Sequence, residues 1–266
     1  LQGPEFGQNN EFLGPRINST VGNPYLDPIE SMNFDASAEW YFADVGSLTV
    51  ALFYKQLDNV ITNGTDRLSF TNNGATFDGI VTTPSNSPEQ GTVKGFELAY
   101  QQTYDFLPGP LSNLGMNASY TYVDSEGVVQ STLSATDPDV AAGRVANIDT
   151  SLLPLQGLSE HTFNVSGFYE SDRLALRLAY AWRSDFVVTV RDVIVPFAPI
   201  VQESGGQLDG SAFFSINDNI RVGVQGVNLL NQVTRTSQVL NDDLLTAPRS
   251  WFMNDRRVTF ILRATY

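Results

Sequence analysis

The sequence predicts an all-β protein whose strands make up part of an antiparallel transmembrane β-barrel with long loops at one end. Three observations carry this expectation. Alternation of apolar and polar residues with period two recurs along the 266 residues, while helical periodicity is nearly absent. The alternating segments run to about 9–11 residues, the length a strand needs to cross a bilayer when tilted. Short turns alternate with long polar stretches, which places every long loop on the same side.

Taken in order, "FDASAEWYF" (34–42) puts Phe34, Ala36, Ala38, Trp40 and Phe42 on one face and Asp35, Ser37, Glu39 and Tyr41 on the other. "LTVALFYKQL" (48–57) follows a short turn, with Leu48, Val50, Leu52 and Tyr54 on one face. After a polar stretch over 58–92, "VKGFELAYQQTY" (93–104) alternates again, and a turn-rich link leads to "MNASYTYV" (116–123). A second polar stretch, 124–159, precedes "HTFNVSGFYE" (161–170) and "RLALRLAYAWR" (173–183). In the latter, Leu174, Leu176, Leu178, Tyr180 and Trp182 oppose Arg173, Arg177, Arg183 and small alanines. A third stretch, 184–206, leads to "LDGSAFFSI" (208–216) and "IRVGVQGVNLL" (220–230); a fourth leads to the last strand, "RRVTFILRATY" (256–266). Trp40, Phe42, Tyr54, Tyr100, Tyr122, Tyr169 and Trp182 fall near strand ends, as the interfacial girdles of membrane barrels require.

Composition narrows the function classes. There is no cysteine and one histidine, His161, so neither a disulfide scaffold nor a Cys/His zinc site is expected. A formal net charge of −14 argues against nucleic acid as a partner. No run approaches the roughly 20 apolar residues of a membrane helix. A soluble sandwich or jelly roll also alternates, but it rarely carries several very long loops all on one side.

Strand parity adds a further expectation. With the long loops outside, the last strand runs inward and the C-terminus is periplasmic. Residues 1–33 are then an extracellular loop, and 34–266 a run of nine strands. Single-chain bacterial barrels have an even number of strands and must close on themselves, so nine are expected to be the C-terminal part of something larger.

Several motifs point to one family. "NPYLDPIESMNFDASAEWYF" (23–42), through Asn23, Pro24, Leu26, Pro28, Glu30 and Asn33, resembles the stretch leading into a late barrel strand of TonB-dependent outer-membrane receptors. Ile29 separates Pro28 from Glu30, where the family usually joins them. "GSLTVALFYKQLDNVI" (46–61) resembles the strand that follows, and "GVNLLNQ" (226–232) resembles the signature near the penultimate strand, carried by Asn228, Leu229, Leu230 and Asn231. The style is similar to the branch found in Xanthomonas- and Caulobacter-like bacteria. The resemblance implies the last nine of 22 strands, with the plug domain and earlier strands lying outside this chain. It implies residence in the outer membrane, among lipid and lipopolysaccharide. It also implies energy from the TonB protein through the N-terminal region, and recognition of the last strand by the barrel-assembly machinery. Tyr266 is the terminal aromatic that such a signal uses; a girdle residue at the periplasmic interface is the alternative role.

The expected activity is active import of a large scarce nutrient, with no covalent chemistry and no cofactor. The expected cargo is an oligosaccharide, with a ferric siderophore as the alternative; a non-transporting adhesion or structural barrel remains a further alternative. Two loops mix aromatic and charged residues, "RDVIVPFAPIVQES" (191–204) and "LNDDLLTAPRSWFMNDRR" (240–257). Phe197, Arg249, Trp251 and Phe252 are candidates to line an outward vestibule, where aromatic faces stack on flat rings, with Asp242 and Asp243 hydrogen-bonding hydroxyls. Loop-on-loop packing or contact with lipopolysaccharide is the alternative for these residues. "TDPDVAAG" (136–143) has two aspartates, Asp137 and Asp139, but lacks the remaining ligands of a calcium loop.

Overall fold

A computed structural model of the chain describes residues 4–6, 12–15, 17–130, 148–192 and 198–265. The N-terminal segment holds β1 (Pro4–Phe6) paired with β2 (Phe12–Pro15), and β3 (Ile17–Thr20). The alternating segments then form one nine-stranded sheet built from β4 (Glu30–Ala43), β5 (Gly46–Asp58), β8 (Gly91–Thr103), β9 (Leu114–Glu126), β10 (His161–Glu170), β11 (Leu174–Arg183), β14 (Gly205–Ser215), β15 (Ile220–Val227) and β18 (Arg257–Ala264). Each pairs antiparallel with its neighbour in this order, an up-and-down meander. Among the described residues the two edge strands, β4 and β18, do not pair with each other, so the sheet is open.

The pairing keeps the two faces apart across the whole width. One row runs Trp40, Leu48, Tyr100, Ala118, Val165, Tyr180 and Leu208, each directly opposite the next. The row on the other face runs Ser37, Ala51, Glu97, Thr121, Thr162, Arg183 and Gly205. Because side chains alternate, one residue of slippage anywhere would exchange the faces, so the unbroken rows fix the register. Leu178 is 58 % exposed and Phe260 83 % exposed on the apolar face.

All seven girdle aromatics lie on that apolar face. Near the short-turn end Phe42 stacks on Tyr100, with ring centroids 6.2 Å apart. Near the long-loop end Tyr122 packs on His161 at 5.2 Å, and Tyr120 Oη lies 2.7 Å from His161 Nδ1. Lys94 Nζ, 3.1 Å from Asp124 Oδ2, interrupts the apolar surface beyond them.

Glycines thin the sheet where rings must lie across it. A Cβ at Gly115 would meet the Phe168 ring at 2.2 Å, and one at Gly223 would meet Phe213 at 2.2 Å; each phenylalanine stands directly opposite its glycine. An aromatic ring laid over a cross-strand glycine covers backbone that the glycine would otherwise leave bare.

The motifs near the long-loop end work as hydrogen-bond ties. Asn86 Nδ2 donates to the carbonyls of Asp27 and Asn59, both at 2.8 Å, and Asn86 Oδ1 accepts from the Asp27 N–H at 2.8 Å. Asn23 Nδ2 donates to the Pro84 carbonyl at 3.0 Å. The "NLLN" stretch is a corner: Asn228 and Asn231 take φ of 55° and 54°, a left-handed conformation that asparagine tolerates. Asn228 is 5 % exposed; its N–H donates to Asp209 Oδ1 at 2.9 Å, its Oδ1 accepts from the Gln232 N–H at 2.8 Å, and its Nδ2 donates to the Asn254 carbonyl.

Four expectations are corrected. The strand expected over 220–230 ends at Val227, because Asn228 turns the chain. The first sheet strand begins at Glu30 inside the expected 1–33 loop, since Glu30 pairs with Asp58 beyond the apolar band and ladder bonds do not need apolar side chains. The last strand is Arg257–Ala264 rather than 256–266. The polar stretch expected as a loop over 58–92 carries strands: β6 (Ile61–Asn72) and β7 (Ala75–Asn86) form a hairpin with β3 parallel to β7, and further strands fold the last two loops. Tyr266, Phe197 and the 136–143 stretch lie outside the described residues.

Candidate functional site

At the long-loop end, strands from two separate loops make one small sheet. β12 (Phe186–Thr189) and β13 (Ile200–Gln202) come from the loop between β11 and β14; β16 (Val233–Val239) and β17 (Thr246–Met253) come from the loop between β15 and β18. Their order is β12-β13-β16-β17. β13 pairs with β16, Ile200 opposite Gln238 and Gln202 opposite Thr236, and so joins the two hairpins; an isolated two-stranded hairpin is marginally stable at best.

Under this sheet lies a cluster of buried apolar side chains. Val187, Val190 and Val239 are at most 2 % exposed, and Ile148, Leu153 and Ala198 join them. Ile148 and Leu153 come from the loop between β9 and β10, so three loops share one core. Burying each of these valines is worth roughly 1.5–3 kcal/mol relative to leaving it exposed.

Polar ties run between the same loops. The Asp149 N–H donates to Asp242 Oδ1 at 2.9 Å, and the Gly157 N–H donates to the Val187 carbonyl at 2.8 Å. Ser237 Oγ donates to Glu203 Oε1 at 2.6 Å. Arg249 forms an ion pair with Asp192. Arg183 anchors the module to the main sheet: Nε donates to Ser159 Oγ at 2.7 Å, Nη2 to the Gly157 carbonyl at 2.9 Å, and its guanidinium carbon lies 3.6 Å from the centroid of the Phe186 ring.

The candidate residues can now be placed. Trp251 is 62 % exposed and Phe252 55 % exposed, on the edge strand β17, opposite Arg235 and Thr234. As consecutive strand residues they point to opposite sides of the hairpin and do not form one stacking surface. Arg249 sits at the bulge where the register shifts, and its charge is taken by Asp192. Asp242 and Asp243 lie in the turn at the other end of the hairpin, so about 17 Å of strand separates them from Trp251. Asp242 already accepts a backbone N–H, and Asp243 accepts from Asn241 Nδ2 at 3.4 Å. Trp251 is thus brought together with neither the aspartates nor Phe252. What β17 presents outward is uncharged: Trp251, Phe252 and Met253.

A second concavity, of about 740 Å³, lies on the polar face of the main sheet. Gln101, Asn117, Asn164, Arg177, Gln207 and Asp209 line it, offering amide donors and acceptors with one cation and one anion. Asp209 is engaged by Asn228 and Gln207. Gln101, Asn117, Asn164, Arg177 and Asp209 were legible as the polar half of the alternating segments, whereas Gln207 falls just before the segment expected to start at 208.

The family model described as "TonB dependent receptor-like, beta-barrel" matches residues 4–229. Solved structures with the same fold include the siderophore receptor PiuA from Acinetobacter baumannii, 17 % identical, with 97 % of this chain and 31 % of that one covered and a TM-score of 0.57. The siderophore receptor PirA from Acinetobacter baumannii is 14 % identical over 92 % of this chain and 33 % of that one, with a TM-score of 0.56. The ferric-catecholate import receptor Fiu from K12 E. coli is 16 % identical over 89 % of this chain and 27 % of that one, also at 0.56. This chain spans about a third of the length of these receptors. No curated protein sequence matches it. At such identity the structural likeness speaks for the fold alone.

Proposed function

The chain belongs to the TonB-dependent receptor-like β-barrel family, and from that premise we propose that it forms part of the wall of an outer-membrane receptor for active import of a large scarce nutrient. The observation that carries this reading is the unbroken separation of an apolar and a polar face across nine paired strands. In a membrane wall the apolar face meets lipid and the polar face meets the lumen. The long-loop end, with the residues before β4, lies outside the cell, and the short turns and C-terminus lie in the periplasm. From β4 onward the chain is the C-terminal part of a barrel of 22 strands. A plug domain and the contact to TonB belong to the N-terminal region of the full receptor.

The three-loop module is the surface that meets cargo. Arg249 is engaged by Asp192, whereas Trp251 stays open with the exposed Arg235 directly opposite it across the hairpin. An exposed indole beside a hydrogen-bond donor suits a cargo with flat ring faces and hydroxyl groups, so we read the cargo as an oligosaccharide. The similarity of the motifs to the Xanthomonas- and Caulobacter-like branch supports the same reading. A ferric siderophore is the second reading, favoured by the siderophore and ferric-catecholate receptors among the structures of like fold.

The test is calorimetric titration of the purified full-length receptor with neutral oligosaccharides and with ferric siderophores, alongside uptake by cells with and without a proton-motive uncoupler. Uncoupler-sensitive uptake of a bound oligosaccharide supports the proposal. Binding of an iron complex alone selects the second reading. Binding without energy-dependent uptake would replace import by adhesion.

A further inference from the structure

On the apolar face one row of directly opposed residues runs Met116, Gly167, Leu178, Gly210, Gly226 and Val258, from β9 to β18. The neighbouring row toward the short turns carries Tyr169, Leu176 and Phe260, and the row on the other side carries Val165, Tyr180 and Leu208. A glycine-rich row between two bulky ones is a groove, and here it forms a cavity of about 790 Å³. A Cβ at Gly167 would meet nothing within 4 Å, so the floor is open there. Leu229 closes one end, its Cδ2 lying 2.5 Å from where a Gly226 Cβ would stand. Tyr104 and Tyr169 line the other end: Tyr104 Oη lies 3.8 Å from Met116 Sδ, and Asn113 Nδ2 donates to Tyr169 Oη at 3.4 Å.

The groove has the dimensions of one leaflet. Met116 sits near the short-turn end of β9 and Val258 at the long-loop end of β18, so the row climbs through the wall. Five strand spacings of about 4.8 Å give it a length of about 24 Å. With strands tilted by about 45°, that length rises about 17 Å, close to half of the roughly 30 Å hydrocarbon core.

Its width and lining select the occupant. A helix, about 10 Å across, is too wide for a groove of one residue row. An extended peptide would leave its N–H and C=O groups unpaired against a carbon-lined floor, which the bilayer core does not tolerate. A hydrocarbon chain meets neither obstacle. The hydroxyl and amide groups of Tyr104, Tyr169 and Asn113 lie at the short-turn end, where an ester and headgroup would emerge into the interface, whereas Leu229 shuts the opposite end.

We propose that this groove holds one acyl chain of a phospholipid from the periplasmic leaflet, as a fixed lipid that does not exchange with the bulk bilayer. The site rests on the reading of the apolar face as lipid-facing and is independent of the cargo.

The test is native mass spectrometry of the full-length receptor extracted from outer membranes in mild detergent. Gly167→Leu fills the groove from its open floor without a clash. Leu52→Phe is the control, an exposed position of the same face outside the groove. The expected result is a retained phospholipid mass that falls at least fivefold in Gly167→Leu and is unchanged in Leu52→Phe. Ala212→Leu, also in the lining, gives a second reading should Gly167→Leu assemble poorly. Equal retention by the filled variants would overturn the site, as would a lipid A mass in place of the phospholipid, or a dimer that Gly167→Leu dissociates. A phospholipid carrying a diazirine at its acyl terminus, photolysed in vesicles, separates this site from the reading beneath it. The carbene formed on loss of nitrogen inserts into a neighbouring C–H bond. Label concentrated on the tryptic peptide 222–235, which holds Gly226 and Leu229, supports the groove. Label spread evenly over the apolar face overturns the groove alone, and its absence from that face overturns the lipid-facing reading as well.

Discussion

Phe168 covers Gly115 on the neighbouring strand so closely that a Cβ at Gly115 would fall 2.2 Å from its ring. The glycine is buried and the ring stands directly opposite it, so neither can move without disturbing the ladder. Gly115→Ala should therefore destabilise the folded receptor by about 1–3 kcal/mol, the usual range for overpacking. Urea unfolding in lipid vesicles measures this. Adding Phe168→Leu should recover much of the loss, and strictly additive effects would show that the two residues do not constrain each other.

Leu176 and Arg177 test the assignment of the faces. Leu176 lies on the apolar face with Leu178, and Arg177 lines the polar concavity. Leu176→Arg should cost roughly 2–4 kcal/mol if that face meets the bilayer near its midplane. Arg177→Ala should cost less in the same unfolding measurement. Equal costs would contradict the assignment.

Asn228 is a buried corner residue with three hydrogen-bonded groups and a φ of 55°. Asn228→Gly keeps the conformation and loses the side-chain amide, at a cost of about 1–3 kcal/mol for the buried groups left unpaired. Asn228→Ala loses the amide and adds left-handed strain, so it should be the worse of the two. Thermal loss of the folded, heat-modifiable form ranks them; equal midpoints would remove the strain contribution.

Arg249 and Trp251 should separate structure from binding. Removing the Arg249 guanidinium leaves the mostly buried Asp192 carboxylate without that partner, so Arg249→Met should cost about 1–3 kcal/mol, between surface and buried pairs. Amide exchange around Val187 and Val239 should speed up. Trp251→Ala should leave that exchange unchanged and weaken cargo binding at least tenfold. Unchanged affinity would remove Trp251 from the site.

The sequence by itself determined where the wall strands run and which residues share a face. The pleat of a strand imposes period two on its own residues, so Leu174, Leu176, Leu178, Tyr180 and Trp182 declare a common face without reference to any other segment. It also located the long loops, as the polar stretches between alternating runs. Only the tertiary structure decided what those loops build. Val187 and Val239 share a core although 52 positions separate them, and Arg249 meets Asp192 across 57. Such contacts leave no local pattern, because each loop is too short and too polar to form a core alone. For the same reason Trp251 and Asp242, close in sequence and alike in promise as binding residues, end at opposite ends of one hairpin. The pairing of Arg221 with Arg263 was likewise invisible until the register of β15 against β18 was fixed, since opposition across a ladder depends on the partner strand and not on the strand's own alternation.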